Sequence, residues 1–310
     1  MVHGQRNWRK LALLVKNETT YGTDAVPTGA ANAILAIDAR LSYDAQQVSR
    51  ELLFPYLGHQ GVILTGVVGK LEFSVEIAGA GAAGSAPKWG PLMRACGMAE
   101  TLSAGVSAVY AFVSAAQEAA SIYFNRDGVR QVLLGARGSC SLELSPQGIP
   151  RFRFTFTGLL GTVSDTALPA TTLTGFVKPA IVNKANTTWS LHGVSLIGIA
   201  MSFDFANQVE PRLLVGYEAI VIVDRMMTGS VTFEADTVAV KDWLAVARSA
   251  TTGALAITHG LTAGNIVSFA APAVQLGLPN EGESQKIVNT VMPMMFQPVT
   301  GNDEFTITVT

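Results

Sequence analysis

Ser42-Tyr43-Asp44-Ala45-Gln46-Gln47-Val48 comes back later in the chain as Ser202-Phe203-Asp204-Phe205-Ala206-Asn207-Gln208-Val209, with Phe205 as one inserted residue. Working outward, Leu52-Leu53-x-x-Tyr56 returns as Leu213-Leu214-x-x-Tyr217, and Gly69-x-Leu71-x-Phe73 returns as Gly229-x-Val231-x-Phe233. Trp89 and Arg94 return as Trp243 and Arg248. The offset is about 160 residues and shortens by about six before the tryptophans, which one extra glycine- and alanine-rich loop at Gly79–Ala86 accounts for. Collinear matches with so few insertions read as a duplicated domain, one copy over residues 1–165 and the other over 166–310. Thr162–Thr172, rich in Thr and Ala, is the expected linker.

Each copy has the same local pattern. Leu71-Glu72-Phe73-Ser74-Val75-Glu76-Ile77 alternates apolar and polar residues, as a half-buried antiparallel strand does, and Val231-Thr232-Phe233-Glu234-Ala235 repeats it. One short helix follows in each, expected over Pro87–Cys96 and Val238–Ala250, with Trp-x-x-Leu and Trp-x-x-Val faces turned to a sheet. Pro91 near the start and Gly97 at the end bound the first. Ser121–Asn125 and Val129–Leu134 flank Asp127-Gly128, a hairpin signal. Ser139–Leu144 and Phe152–Phe156 flank a Pro146-Gln147-Gly148 turn, with Phe152, Phe154 and Phe156 on one face. Ile287–Met292 and Glu304–Thr310 supply late strands in the second copy. The fold class is mainly β: two tandem sandwiches or flattened barrels, each with a short helix against its sheet.

Composition narrows the function. Of 310 residues 49% are apolar and only 14% charged, against about 25% charged in an ordinary soluble domain. Such a surface points to burial in an assembly. No run of about 18 apolar residues is present for a membrane helix, and Met1–Arg6 has no apolar signal-peptide core. Net charge is −2, and neither half offers a basic stripe, with 14 Lys/Arg against 12 Asp/Glu before residue 166 and 7 against 11 after it. Cys96 and Cys140 read as free, buried thiols.

Several of these segments, in order, resemble phage tail tube proteins. Glu18-Thr19-Thr20-Tyr21-Gly22-Thr23-Asp24 with Pro27 is similar to that family's opening segment, and Pro87–Gly97 to its helix. Asp127-Gly128, Gly135-Ala136-Arg137-Gly138, Gly148-Ile149-Pro150 and Phe154-x-Phe156-x-Gly158 are similar to its closing hairpin series. The resemblance covers residues 10–161 directly and the second copy only through the repeat, where the Asp-Gly and Gly-Ala-Arg-Gly pieces are missing. It implies a structural virion protein of a long-tailed, non-contractile phage, assembled in the host cytoplasm. Its rings would stack into the hollow conduit for DNA ejection, with transient, non-specific passage of viral DNA and no membrane. The implied partners are further copies of itself, the tape measure protein, the tail terminator and the distal tail proteins. Two tube domains per chain turn an expected sixfold ring into a trimer with pseudo-sixfold symmetry.

No enzyme chemistry, cofactor or metal is expected. Gly79-Ala80-Gly81-Ala82-Ala83-Gly84 matches the dinucleotide fingerprint formally, yet the strand before it alternates and the second copy has no glycines there. A flexible surface loop is the expectation. His3, His59, His192 and His259 are scattered without metal-ligand spacing. The sharper candidates are Leu52, Leu53, Tyr56, Leu213, Leu214 and Tyr217, expected in long connections between strands and packed on a neighbouring subunit or ring. The alternative is that these loops fold back over their own core. At the level of function, the alternative is a β-sandwich binding or decoration module of a virion or cell surface.

Overall fold

The computed structural model describes residues 4–310; His3 and the start of the Met1–Arg6 segment lie outside them. Strand makes up 52% of the chain and helix 5%, so the class is mainly β, and the sheets form sandwiches that do not close into a barrel.

The first set of elements is β1 (Leu11–Asn17), α1 (Gly29–Asn32), β2 (Ala33–Ile34), β3 (Ile37–Ser49), β4 (Val62–Glu76), α2 (Gly90–Ala95), β5 (Met98–Ser103), β6 (Ser107–Phe112), β7 (Ala120–Arg126), β8 (Val129–Leu144), β9 (Arg151–Leu160) and β10 (Ser164–Asp165). The second is β11 (Thr187–Leu191), β12 (Val194–Ser195), β13 (Gly198–Asp204), β14 (Asn207–Leu214), β15 (Tyr217–Arg225), β16 (Thr228–Glu234), α3 (Trp243–Arg248), β17 (Thr252–His259), β18 (Val267–Leu276), β19 (Asn280–Ser284), β20 (Ile287–Gln297) and β21 (Thr306–Val309).

Antiparallel pairing orders the first set β3-β4-β9-β8-β7-β1-β2. It orders the second β13-β16-β20-β18-β17-β11-β12. β10 lies along the start of β8 as β21 lies along the start of β18. The repeated residues share a register: Tyr43 faces Gly69 and Phe203 faces Gly229. Further across the ladder, Phe73 faces Phe154, which faces Cys140; Phe233 faces Thr290, which faces Glu281. Thus β19 occupies the place of the second half of β8, after an interruption at 277–279. The β5–β6 hairpin has no counterpart in the second set.

Alternation buries one face of the strands around the repeated residues, as in β9 and β16. Phe73, Phe152, Phe154 and Phe156 are buried, with Phe73 and Phe154 5.6 Å apart between ring centres. Fully burying such a ring contributes about 1.5–3 kcal/mol, so these strands carry much of the stability. Trp89 is buried against Phe152 and Tyr110, and its indole N–H donates to the Ala78 carbonyl at 2.8 Å. Trp243 does the matching work beside Phe233.

Several boundaries differ from expectation. Both helices are six residues long, shorter than expected. In the second, Asp242 caps the helix by accepting from the Ala245 N–H at 2.8 Å, leaving the residues before it in a turn. The two strands expected at 129–134 and 139–144 are one 16-residue strand, β8, whose register shifts at Leu134–Arg137 instead of breaking. The expected linker is partly strand, since Ser164 and Asp165 pair with Arg130 and Val129.

Nor is the glycine-rich loop a free surface loop. The Gly79 N–H donates to Asn265 Oδ1 at 2.7 Å, and the Gly81 N–H to the Gly264 carbonyl at 2.9 Å. A Cβ on Gly79 would lie 2.1 Å from the Gly264 oxygen, so only glycine permits this approach. Every strand pairing among the described residues is antiparallel, whereas a dinucleotide fold needs parallel strands.

The two sets join edge to edge. Met201, Ser202, Phe203 and Asp204 of β13 face Leu144, Glu143, Leu142 and Ser141 of β8. β21 pairs with β6 alongside. Ring contacts Phe112–Phe205 at 4.9 Å and Phe152–Phe269 at 6.2 Å make one continuous core across the junction.

Candidate functional site

Past Asp44, the β3–β4 hairpin leaves the core and stands in solvent. Val48, Ile63 and Leu64 are exposed along it, and residues 50–61 form the connection at its tip. Gln60 ties that connection together: its Oε1 accepts from the Leu52 N–H at 2.7 Å and its Nε2 donates to the Leu52 carbonyl. Leu53 is 103% exposed and Tyr56 70%; Tyr56 stacks on Phe54 at 5.3 Å. Leu52 is exposed as well.

The second hairpin, β14–β15, lies against β8, with Ala219 and Ile220 buried, and only its tip stands in solvent. Here the expected long connection is absent. Leu214 faces Tyr217 as the last pair of the ladder, and only Val215-Gly216 turns the chain, with Gly216 at a φ of 81°. A two-residue turn needs positive φ, which Gly216 supplies. Leu214 and Tyr217 are exposed at the tip. Leu213 is half-buried, its Cδ1 lying over Gly66 of β4, so the two hairpins touch. Five of the six candidate side chains therefore stand in solvent and one lies between the hairpins. None folds back into the core.

Sequence pattern did not mark what anchors the second hairpin. Tyr21 and Arg137, both within the recognised motifs, converge on Ile220 in the middle of β15, where it faces Pro211. The Tyr21 hydroxyl accepts from the Ile220 N–H at 2.5 Å, and Arg137 Nη1 donates to the Ile220 carbonyl at 2.8 Å. Arg137 also donates to the carbonyls of Gln117 and Glu118 and lies over the Tyr21 ring at 5.0 Å. Glu18 locks the segment by accepting from the N–H groups of Gly22 and Gly135 and from Ser121 Oγ. Burial pushes the Tyr21 phenol above its ordinary value, keeping it neutral. These are polar residues with long-range backbone partners, which no local periodicity reveals.

The histidines are placed structurally. His192 Nε2 bonds the Val274 carbonyl at 2.7 Å. His259 Nδ1 bonds Thr187 Oγ1 at 2.8 Å and its Nε2 the Ala180 carbonyl. His59 accepts from the Gly61 N–H in the exposed tip. Among the described residues no three His, Cys, Asp or Glu side chains are grouped to hold a metal. No helix among them is long and apolar enough to cross a membrane.

Exposed apolar side chains are dense on the β3–β4 hairpin, at Val48, Leu53, Tyr56, Leu57, Ile63 and Leu64. The family model for phage tail tube proteins matches residues 8–309, nearly the whole sequence, and the chain belongs to that family. Its place is therefore the virion tail. A search of the curated proteins found no match.

Proposed function

We propose that this chain is a two-domain tube subunit, with domains at 1–165 and 166–310, and that three copies close into a ring of six tube domains. Rings stack into the hollow conduit through which viral DNA leaves the virion. The observation that carries this reading is the β8–β13 junction. It joins two units of like strand order edge to edge, in the manner that a ring of six such units requires. An open sheet edge is otherwise a liability for a soluble chain.

The hairpin tips supply the second contact, between neighbouring subunits or successive rings, through Leu52, Leu53, Tyr56, Leu214 and Tyr217, with Leu213 holding the two hairpins of one chain together. Low charge suits a wall along which DNA slides, because each Lys or Arg gripping a phosphate strengthens binding. The role is structural, not catalytic. Assembly takes place in the host cytoplasm, on a tape measure protein, between a tail terminator and the distal tail proteins, in a tail without a contractile sheath.

Mass photometry and negative-stain microscopy of the purified protein at rising concentration test the proposal. Hollow rings or stacked tubes built from units of three chains are expected. A stable compact dimer, or solid particles, would contradict it and favour a binding or decoration module.

A further inference from the structure

The junction inside the chain has an unfilled counterpart at each end of the molecule. Within the junction, β13 is bonded on both sides: Ser202 faces Ser230 and Glu143, Phe203 faces Gly229 and Leu142, and Asp204 faces Thr228 and Ser141. Among the described residues the matching stretch of β3 is bonded on one side only, where Ser42 faces Lys70, Tyr43 faces Gly69 and Asp44 faces Val68. At the other end, β19 replaces the last part of β8 and is likewise bonded on one side among the described residues, with Gly282, Glu283 and Ser284 facing Asn289, Val288 and Ile287.

Burial differs between the filled and unfilled positions. Phe203 is 2% exposed in the junction, whereas Tyr43 in the same register is 50% exposed. Phe152, which faces Leu142, is 1% exposed; Val288, which faces Glu283, is 51% exposed. Side chains that the internal junction covers are thus left open where the chain ends its sheet.

We infer that the free edge of β19 in one copy pairs antiparallel with the free edge of β3 in the next copy, repeating the β8–β13 register. Ser284 then faces Ser42, Glu283 faces Tyr43 and Gly282 faces Asp44. This rests on the ring reading above and names the strands and register that close the ring. The partner is a second copy because the two free edges complement each other as the halves of the internal junction do. An unpaired row of N–H and C=O groups is a template for strand addition. The register is fixed because a slip of one residue would turn Tyr43 and Val288 to opposite faces. The contact joins two different patches, so it propagates around a ring instead of stopping at a dimer.

Disulfide trapping in the assembled full-length protein tests it. Ser42→Cys/Ser284→Cys and Tyr43→Cys/Glu283→Cys are the in-register variants. Facing residues in such ladders have Cα separations of about 4.5–5.5 Å, within disulfide reach. Ser42→Cys/Glu283→Cys is the one-residue slip. Glu143→Cys/Ser202→Cys, across the internal junction, controls for oxidation and folding by giving a disulfide within one chain. The expected result is covalent ladders ending at closed trimers for at least one in-register variant and at least tenfold less for the slipped one. Rings seen by microscopy with no in-register cross-link, or equal cross-linking of the slipped pair, would overturn the register while leaving the ring reading intact. Chains that stay monomeric while the internal control oxidises would overturn both.

Discussion

Arg137 of β8 holds Ile220 of β15 by its carbonyl, with Nη1 donating at 2.8 Å, while the same guanidinium bonds the carbonyls of Gln117 and Glu118. One side chain thus ties the middle of the second hairpin to the frame of the first sandwich. Its planar fork serves three carbonyls at once, which a lysine cannot do.

Arg137→Ala should therefore lower stability by about 2–3 kcal/mol, because three hydrogen bonds to a charged donor are lost from a half-buried site. Arg137→Lys should recover less than half of that. Urea unfolding of the unassembled protein reads both; an unchanged midpoint for Arg137→Ala would show the clamp to be without weight.

Arg225 and Glu304 form an ion pair whose side chains are 12% and 9% exposed, and the guanidinium lies 3.9 Å over the Phe112 ring. Removing one partner of a buried pair leaves an uncompensated charge, so Glu304→Ala should cost about 3–5 kcal/mol. Replacing both, as Arg225→Met/Glu304→Leu, should cost clearly less. A double variant as unstable as the single one would contradict this.

Stability should fall on mild acidification. Burial holds His192 and His259 below the ordinary histidine value, against the opposing pull of the Val274 and Ala180 carbonyls. The unfolded chain therefore takes up protons, below about pH 6.5, that the folded chain refuses, and folding weakens as pH drops through that window. The loss levels off once the folded histidines protonate. Urea midpoints between pH 7.5 and 5.5 should decline, and His192→Gln/His259→Gln should flatten the decline.

Charges at the hairpin tips should spare folding and damage assembly. Leu53→Asp and Leu214→Asp alter exposed side chains, so each should shift stability of the unassembled chain by no more than about 0.5 kcal/mol. Polymerisation followed by light scattering should be reduced at least tenfold in the double variant. Unaltered polymerisation with stable folding would remove these residues from the interface.

Cys96 and Cys140 are free and buried, and burial pushes both thiols above the usual range. The thiolate is the reactive form, so iodoacetamide should label neither in the native protein and both after unfolding. Mass spectrometry counts the adducts; rapid native labelling of Cys140 would mean that the β8–β13 junction opens.

How much of this was legible in the sequence follows from what each feature depends on. The strands around Phe73, Phe233 and Phe154 were readable because alternation is local and tied to burial. The repeat located both hairpins, yet Leu-Leu-x-x-Tyr describes a 12-residue connection at 50–61 and the two-residue Val215-Gly216 turn equally well. Gly79–Gly84 looked like a free loop because its partners, Gly264 and Asn265, lie far along the chain. Tyr21 and Arg137 were recognised as motif residues, but their meeting at Ile220 depends on how the halves dock. The β8–β13 junction was invisible for the same reason, since pairing between edges leaves no periodicity in either strand.

Cryo-electron microscopy of the assembled protein measures the central proposal most directly, through the rotational symmetry of the tube. The expected density has threefold symmetry with six similar domains per ring, alternating between junctions inside a chain and junctions between chains. A ring of six chains, with the second domain standing outside the wall, would contradict it.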